Sequence, residues 1–439
     1  MTTYARRLGL FSSTMAVVGG IVGGGIFRTP AVVAERVGSA GAVLAAWLLG
    51  GVIALAGALC FGELGRRRPY AGGGYVYLRD AWGPLPAFLY GWALLLVIAT
   101  GAIAAVAVTF ADYALALTGL PPAHAVPLAV GAIVFVSLVN YFGVRPGALL
   151  QNLFTLLKLG ALAALVAAGL GAAGVARPEA PTPETASGPT IAGFGAALVP
   201  ILFTYGGWQQ TNFIAGEMRD PERELPRALL LGVGIVVLAY LGANLAYLTT
   251  LGPGGLAAST APAAETLRAV LGPAGGRLIA AGIAASTFGF LNLVVLVTPR
   301  VLQAMAADGL FFDRLAELHR IHRTPTAAIA VQGTWAILLT LTGSFNQLVD
   351  YVSFADWIFF GLTVAGLFVF RGRERAAGGA VPEGFRVPGY PWTPAIFVAA
   401  AGCVVVSSVA ANPRNALAGA GLLALGVPVY LWRRRSSGR

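Results

Sequence analysis

Residues 17–30 read VVGGIVGGGIFRTP and residues 198–221 read LVPILFTYGGWQQTNFIAGEMRDP, and the architecture is predicted from these two stretches. Each lies in an apolar run of about 20 residues, the length that crosses a bilayer as a helix. Each is nevertheless interrupted near its centre, the first by a cluster of five glycines and the second by Pro200 and the Gly206–Gly207 pair. Because glycine costs about 1 kcal/mol relative to alanine inside a helix, both interruptions need an explanation.

Two explanations fit the first stretch equally well. Gly19 and Gly23, like Gly20 and Gly24, have the spacing that lets two membrane helices pack closely. Alternatively the helix unwinds there and presents its backbone to a buried ligand. The second stretch favours unwinding, because interruptions at matching positions in two five-helix halves are typical of a transporter's binding site.

The composition places most of the chain in lipid. Of its 439 residues 57% are hydrophobic and 11% are charged, with a mean hydropathy of +0.78, whereas soluble domains carry about 25% charged residues. Only helices and closed barrels satisfy their backbone in lipid, and the apolar runs here are unbroken rather than alternating. We therefore predict an all-α protein with twelve transmembrane helices, at 10–34, 38–64, 84–116, 125–143, 147–171, 191–217, 227–251, 276–306, 326–343, 346–370, 392–411 and 415–432.

Arginine sets the predicted orientation. With the N-terminus inside, alternation of twelve spans puts 22 of the arginines inside and 6 outside, as the positive-inside rule requires. Both termini are then cytoplasmic. The net charge of +11 lies in short loops, which argues against a nucleic-acid partner. Among the longer connections, 172–190 should be irregular, 252–275 should hold a short amphipathic helix, and 65–83 is either a plain loop or a segment that dips back into the protein.

Backbone groups at the two interruptions could bind an amino acid. Amides that start a second half-helix point at an anion, so those of Gly23, Gly24 and Gly25 are predicted to bind the substrate carboxylate. Carbonyls of Ile21, Phe203 and Gly206 are predicted to bind its ammonium group. The neighbouring residues Ile26, Thr204, Tyr205 and Gly207 complete the predicted substrate site. No ionised protein side chain is then needed at the substrate.

Lys158 is the only lysine and lies in FTLLKLGALAALV, inside the fifth span. It is about 11 residues, or about 16 Å, from the inner end of that span. Its ammonium could snorkel to the interface, but this depth favours a function inside the bundle.

These motifs also carry a family resemblance. IVGGGIF (21–27), FTYGGW (203–208), NFIAGEMRDPERELPRAL (212–229) and STFGFLNLVVLVTPRVLQAMAADGLFF (286–312), together with the third span, resemble the amino acid–polyamine–organocation superfamily. The most similar subfamily is the L-type amino acid transporters and their prokaryotic relatives, and the resemblance runs from about residue 8 to about residue 430.

The resemblance implies a LeuT-like fold with two inverted five-helix repeats, discontinuous helices one and six, and two peripheral helices. The implied parts are a first repeat (1–171), an extracellular loop (172–190), a second repeat (191–370), a cytoplasmic loop (371–391), and peripheral helices with a cytoplasmic tail (392–439).

The resemblance also assigns roles to single residues. Phe203 matches the gating aromatic over the substrate, and Gly24 stands where many relatives have serine. Lys158 matches a lysine that replaces the sodium ion of sodium-coupled relatives and links helix one to helix eight, where Ser286 and Thr287 are the expected partners.

The roles of the other ionisable residues in the apolar spans are less clearly indicated by the sequence. Glu217 is either part of an inner gate or an interface carboxylate paired with Arg219 or Arg223. Glu63 is assigned to the interface rather than to the substrate, and the roles of Asp112 and Asp356 stay open. The histidines have no convincing zinc spacing, and no catalytic constellation or cofactor motif appears.

The predicted function is sodium-independent transport of small or neutral L-amino acids across the inner membrane, by exchange or by proton coupling. A carrier of polyamines or cationic amino acids would want an acidic side chain in the site, and none is evident; it stays the alternative, ahead of a membrane sensor. Eukaryotic relatives bind a glycoprotein through a cysteine between helices three and four. The loop Thr118 to Val126 has no cysteine, so no disulfide-linked partner is expected.

Overall fold

The computed structural model describes residues 3–171, 190–343, 345–378 and 383–437, and across these ranges every regular element is a helix. This confirms the all-α prediction. The helices, numbered in chain order, are helix one (Leu10–Ile21 and Thr29–Val37), two (Ala40–Arg67), three (Pro84–Ala93, Leu94–Ile98 and Ala99–Thr118), four (Ala125–Tyr141), five (Val144–Gly171), six (Ile191–Thr204 and Trp208–Glu217), seven (Pro221–Ala258), eight (Pro273–Val297 and Pro299–Ala307), nine (Thr326–Thr342), ten (Phe345–Ala376), eleven (Trp392–Ala411) and twelve (Pro413–Ala424 and Gly426–Ser437).

Three of these helices lack the length of an ordinary membrane span. Within the described ranges, nine helices are long and apolar enough to cross a bilayer. The other three are helix nine, with 17 residues, and helices one and six, each of which is broken into two short pieces. The predicted discontinuity of helices one and six therefore accounts for most of the difference between nine and twelve.

Two connections contain helices of their own. Residues 65–83 do not form a plain loop, since Gly74–Trp82 is a largely buried helix and the amide of Gly72 donates to the carbonyl of Phe213 at 3.0 Å. The predicted amphipathic helix in 252–275 is present as Pro262–Leu271. The predicted irregular loop 172–190 lies, apart from its last residue, outside the described residues.

Both chain ends lie on one face of the bundle, which we call the N-terminal face. The amides of Arg7 and Leu8 donate to the carbonyl of Glu217, where helix six ends. The Tyr4 hydroxyl donates to Gln303 near the end of helix eight at 3.2 Å, and Asp313, in the connection that follows, forms an ion pair with Arg433 near the other end of the chain.

Helix one lies at the centre of the bundle and packs against helices five, seven and eight and the second half of helix six. A buried polar network ties helices four, five and eight together. Asn292 accepts a hydrogen bond from Asn140 and donates to Gln151, at 3.0 and 3.1 Å. Asn292 therefore links three helices by hydrogen bonds inside the bundle.

Candidate functional site

Helix one is broken after Ile21, and its glycines serve two purposes. A Cβ on Gly19 would lie 2.0 Å from the Gln151 amide nitrogen, and one on Gly20 would lie 2.7 Å from the carbonyl oxygen of Gly207. These two glycines therefore allow close packing. A Cβ on Gly23 or Gly24 would meet nothing within 4 Å, so those two glycines border open space.

Free amides follow the break. Gly23, Gly24 and Gly25 donate to no backbone or side-chain acceptor among the described residues. Such amides at the start of a helical turn are a natural site for a carboxylate.

Helix six is broken by proline and glycine together. Pro200 has no amide hydrogen, so the Ala196 carbonyl loses its helical partner, and the Arg36 guanidinium donates to it at 2.5 Å. The α-helix ends at Thr204. Gly207 then adopts a φ of +108°, which strongly favours glycine, and the chain continues as a 3₁₀-helix from Trp208.

The two breaks touch each other. A Cβ on Gly207 would lie 2.1 Å from the Gly20 carbonyl oxygen. Tyr240 of helix seven joins them, since its hydroxyl lies 3.0 Å from the Ile21 carbonyl oxygen and 3.5 Å from that of Thr204. The Ile21 carbonyl, predicted to bind the substrate ammonium, therefore already accepts one hydrogen bond.

A cavity of about 670 Å³ opens beside the breaks. This volume is in the range of small-molecule sites. Of the predicted substrate-site residues, eight line it, namely Ile21, Gly23, Gly24, Gly25, Phe203, Thr204, Gly206 and Gly207. Helices three, eight and ten complete the wall.

Two predicted substrate-site residues do not line the cavity. Ile26 is fully buried and its carbonyl accepts from the Tyr247 hydroxyl at 3.2 Å. Tyr205 packs against Trp47 and Tyr240. Both side chains are buried in the protein rather than facing the cavity.

Lys158 lies fully buried beside the break in helix one. Its ammonium donates to the carbonyl oxygens of Gly19 and Val22, at 2.7 and 2.8 Å. The side chain therefore does not snorkel to the interface. It replaces helical hydrogen-bond donors that the unwound chain has lost.

Helix eight reaches the same point. The Ser286 hydroxyl donates to the Val22 carbonyl at 3.1 Å, so Lys158 and Ser286 share an acceptor. Gly289 leaves room for the lysine stem, since a Cβ there would lie 2.9 Å from its Cε atom. Thr287 instead donates to carbonyls of its own helix and lines the cavity.

Glu217 is buried at the N-terminal face and does not pair with Arg219 or Arg223. It forms a two-bond ion pair with Arg300 of helix eight, at 3.0 Å for each contact, and both side chains are fully buried. The interpretation that pairs Glu217 with Arg219 or Arg223 was wrong. The chain turns away after Met218, so these two arginines do not reach the carboxylate although they are close to it in sequence.

Glu63 likewise lies away from the cavity. Its carboxylate accepts from Arg67 and Arg371 and from the amide of Val387. It links helices two and ten to the connection before helix eleven, and it is fully buried rather than exposed at an interface.

Asp356 also lies in the wall of the cavity, although its role could not be predicted from the sequence. It lines the cavity from helix ten, next to Trp357, whose ring lies 6.0 Å from that of Phe203. The only hint in the sequence is an acidic residue inside an apolar span, and Asp112 gives the same hint although its exposed side chain does not line the cavity.

The arrangement has the parts of a substrate site rather than of a catalytic one: two helix breaks, free amides, a cavity and a buried cation beside the break. A family described as amino acid permease matches residues 8–426, nearly the whole chain. The chain belongs to this amino acid permease family. The resemblance seen in the sequence is thereby confirmed, and the family is one of transporters rather than enzymes.

Several characterised members are similar to this permease. The serine/threonine exchanger SteT of Bacillus subtilis is 32% identical over 97% of this chain and 96% of its own length. The human b(0,+)-type amino acid transporter 1 is 36% identical over 84% of this chain and 77% of its own. The human large neutral amino acids transporter small subunit 2 is 32% identical over 97% and 80%.

Proposed function

We propose that the protein is a sodium-independent exchanger that moves neutral L-amino acids across the cytoplasmic membrane by alternating access. The observation that carries this proposal is the pair of helix breaks that border one cavity with unpaired amides at Gly23, Gly24 and Gly25. The SteT exchanger matches over almost its full length, which favours exchange over proton coupling.

The zwitterionic part of the substrate binds at the breaks. Its carboxylate accepts from the amides of Gly23, Gly24 and Gly25, which need no reorganisation to bind an anion. Its ammonium group donates to carbonyl oxygens of the helix-six break, of which that of Gly206 accepts no bond from the described residues. The missing hydroxyl at Gly24 leaves this recognition to the backbone.

Lys158 takes the role that a bound sodium ion would otherwise have. Its side-chain nitrogen lies on the carbonyls that end the first half of helix one, where a cation is favoured by the helix dipole. Because the cation is part of the protein, substrate binding needs no sodium.

In this state the cavity opens towards the face of the bundle opposite the N-terminal face. Gly24 is exposed and Phe203 is 40% exposed, whereas the Glu217–Arg300 pair and Phe213 are buried on the other side. Exchange then requires the N-terminal face to open and Phe203 to close over the substrate. We assign the N-terminal face to the cytoplasm from its arginines, and we expect no disulfide-linked partner.

The test is exchange by the purified protein in proteoliposomes. Uptake of labelled L-serine should require unlabelled L-serine inside and should be unchanged when potassium replaces sodium. Lys158→Ala should lower this uptake to background, because the carbonyls of Gly19 and Val22 lose their donor.

Other results would contradict the proposal. Equal uptake into empty liposomes under a pH gradient would replace exchange by proton coupling. Full activity of Lys158→Ala would reject the role of the lysine, and the conservative variant Lys158→Arg tests whether charge alone is sufficient.

A further inference from the structure

The connection between helices eight and nine touches the turn between helices four and five on the N-terminal face. The Thr324 hydroxyl donates to the Tyr141 carbonyl at 2.9 Å. The rings of His319 and His322 stack with their centroids 4.7 Å apart, and they lie 5.5 and 5.8 Å from the Tyr141 ring. A Cβ on Gly143 would lie 4.0 Å from the His322 carbonyl oxygen. Two connections that are far apart in the sequence therefore form one surface.

Hydrogen bonds fix the shape of the connection between helices eight and nine. The Nδ1 atom of His319 accepts from the amides of Ile321 and His322, at 3.3 and 3.2 Å. The amide of His319 donates to the Thr324 carbonyl at 2.9 Å, and the amide of Arg323 donates to the His319 carbonyl at 2.8 Å. These bonds hold Arg323 at a φ of +54°, which few residues other than glycine adopt. The connection therefore presents its side chains on a fixed backbone.

Five basic residues share this surface, which we call the basic patch: His319, Arg320, His322, Arg323 and, in the first turn of helix five, Arg145. Its three arginines are exposed and form no ion pair with any residue that the structure describes. Other arginines of the N-terminal face, such as Arg300 and Arg433, are paired with carboxylates. The segments 140–147 and 318–325 contain no acidic residue. The charge of the basic patch is therefore left for an anion from outside the protein.

Exposed apolar side chains continue from the basic patch along helices four and five. Six of them are each more than half exposed and lie three or four residues apart on their helix: Phe135, Leu138, Phe142, Leu149, Leu153 and Leu156. Residues with this spacing share one helix face, so both helices present an apolar stripe to lipid. Ile321, beside the arginines, is 81% exposed. A molecule that fits both features has an anionic head and apolar chains.

We propose that the basic patch binds the headgroup of an anionic phospholipid in the leaflet on the N-terminal face, with its acyl chains along helices four and five. Planar guanidinium groups match the oxygens of a phosphate, and each arginine near an anionic membrane surface strengthens binding roughly fivefold. Helix five also carries Lys158, whose ammonium binds the break in helix one. A lipid at the basic patch therefore contacts the helix that supports the substrate site, whichever amino acid the protein carries.

The experiment measures lipid binding to the purified full-length protein in detergent by native mass spectrometry. The wild-type protein should bind phosphatidylglycerol at roughly 10-fold or more lower concentration than phosphatidylcholine with the same acyl chains. The triple variant Arg145→Gln, Arg320→Gln and Arg323→Asn should bind both lipids at similar concentrations. Asparagine is used at residue 323 because it tolerates a positive φ.

A second triple variant is the matched control for net charge. Arg6→Gln, Arg7→Gln and Arg227→Gln remove three exposed arginines from the same face, and this variant should keep the preference of the wild-type protein for phosphatidylglycerol. Loss of the preference in both triple variants would show a general attraction to the face and would overturn the proposal.

A second measurement leaves the five basic residues intact and so does not depend on whether the triple variant folds. A fluorescent label is attached to Ile321→Cys in a background with Cys60 and Cys403 replaced by serine, and the protein is placed in nanodiscs. Phosphatidylglycerol that carries a nitroxide should quench the label more strongly than phosphatidylcholine that carries the same nitroxide. A label on Thr260→Cys, near the end of helix seven, should be quenched equally by the two lipids.

Three results would overturn the proposal directly. One is equal quenching of the Ile321→Cys label by the two lipids, and another is a preference for phosphatidylglycerol that survives in the triple variant of the basic patch. The third is competition by inorganic phosphate at concentrations similar to those of phosphatidylglycerol, which would show an anion site that does not recognise a lipid.

Discussion

At the scale of single residues, the site depends on which glycines pack and which face the cavity. Gly20 and Gly207 allow two backbones to cross with almost no space between them. Gly23 and Gly24 border open space, and in the proposed site their amides face the substrate there. The same residue type therefore allows close packing at one position and, in the proposed function, substrate binding a few residues later.

A pair of substitutions separates these two roles. Gly207→Ala places a methyl group against the Gly20 carbonyl at a φ of +108°, and we expect a loss of about 2 kcal/mol or more in unfolding free energy. Gly24→Ser is the control, because Gly24 has a φ of −76° and open space around its Cβ position. Its stability should change by less than about 0.5 kcal/mol.

Thermal unfolding in detergent measures both variants. An unchanged unfolding temperature for Gly207→Ala would contradict the close crossing of helices one and six. A large loss for Gly24→Ser would contradict the open space at that position.

At the scale of helices, each broken element is held by side chains from other helices. Arg36 satisfies the carbonyl that Pro200 leaves unpaired, Lys158 satisfies two carbonyls of helix one, and Tyr240 joins both breaks. A break in lipid would otherwise expose backbone groups at a cost of several kcal/mol each. The breaks are thus possible because the surrounding helices supply donors.

The Glu217–Arg300 pair links the end of helix six to helix eight, and its partners depend on each other. Arg300→Ala should lower stability by about 3–5 kcal/mol, because it leaves a buried carboxylate without compensation. The double variant Glu217→Leu with Arg300→Met should recover much of that loss.

The same unfolding assay checks this pair, and Arg223→Ala is the matched control. Arg223 forms an exposed contact of 3.8 Å with Asp220 on the same face, and such pairs contribute little. A double variant as unstable as Arg300→Ala would show that the pair stabilises by more than charge compensation.

At the scale of the whole molecule, the orientation of the protein across the membrane is predicted from its arginines and from the face that both termini share. The connection 308–325 lies on the N-terminal face, as the Arg433–Asp313 ion pair shows. The segment after helix seven, near residue 260, lies on the opposite face because helix seven starts at the N-terminal face.

Cysteine labelling tests this orientation. In a background with Cys60 and Cys403 replaced by serine, Thr260→Cys should react with an impermeant maleimide in intact cells. Ile321→Cys, at a residue 81% exposed, should react only after the membrane is permeabilised. The reverse pattern would place the N-terminal face outside and reject the assignment from arginine.

The membrane class, the helical fold, the two breaks and the depth of Lys158 could all be predicted from the amino-acid sequence. These properties depend on local composition and on spacing along one helix, because lipid forces each segment to satisfy its own backbone. The family motifs pointed to the same breaks, and nearly all of the predicted backbone site borders the cavity.

Which distant residues meet becomes visible only in the folded protein. Arg300 rather than a nearby arginine pairs with Glu217, Tyr205 turns into the core, and Asp356 rather than Asp112 enters the cavity wall. Such outcomes depend on how helices rotate about their axes when they pack, since a rotation of one residue moves a side chain by about 100°. The rotation of an apolar span is hard to predict from its sequence, because the side that faces lipid and the side that faces the protein interior contain the same types of residue.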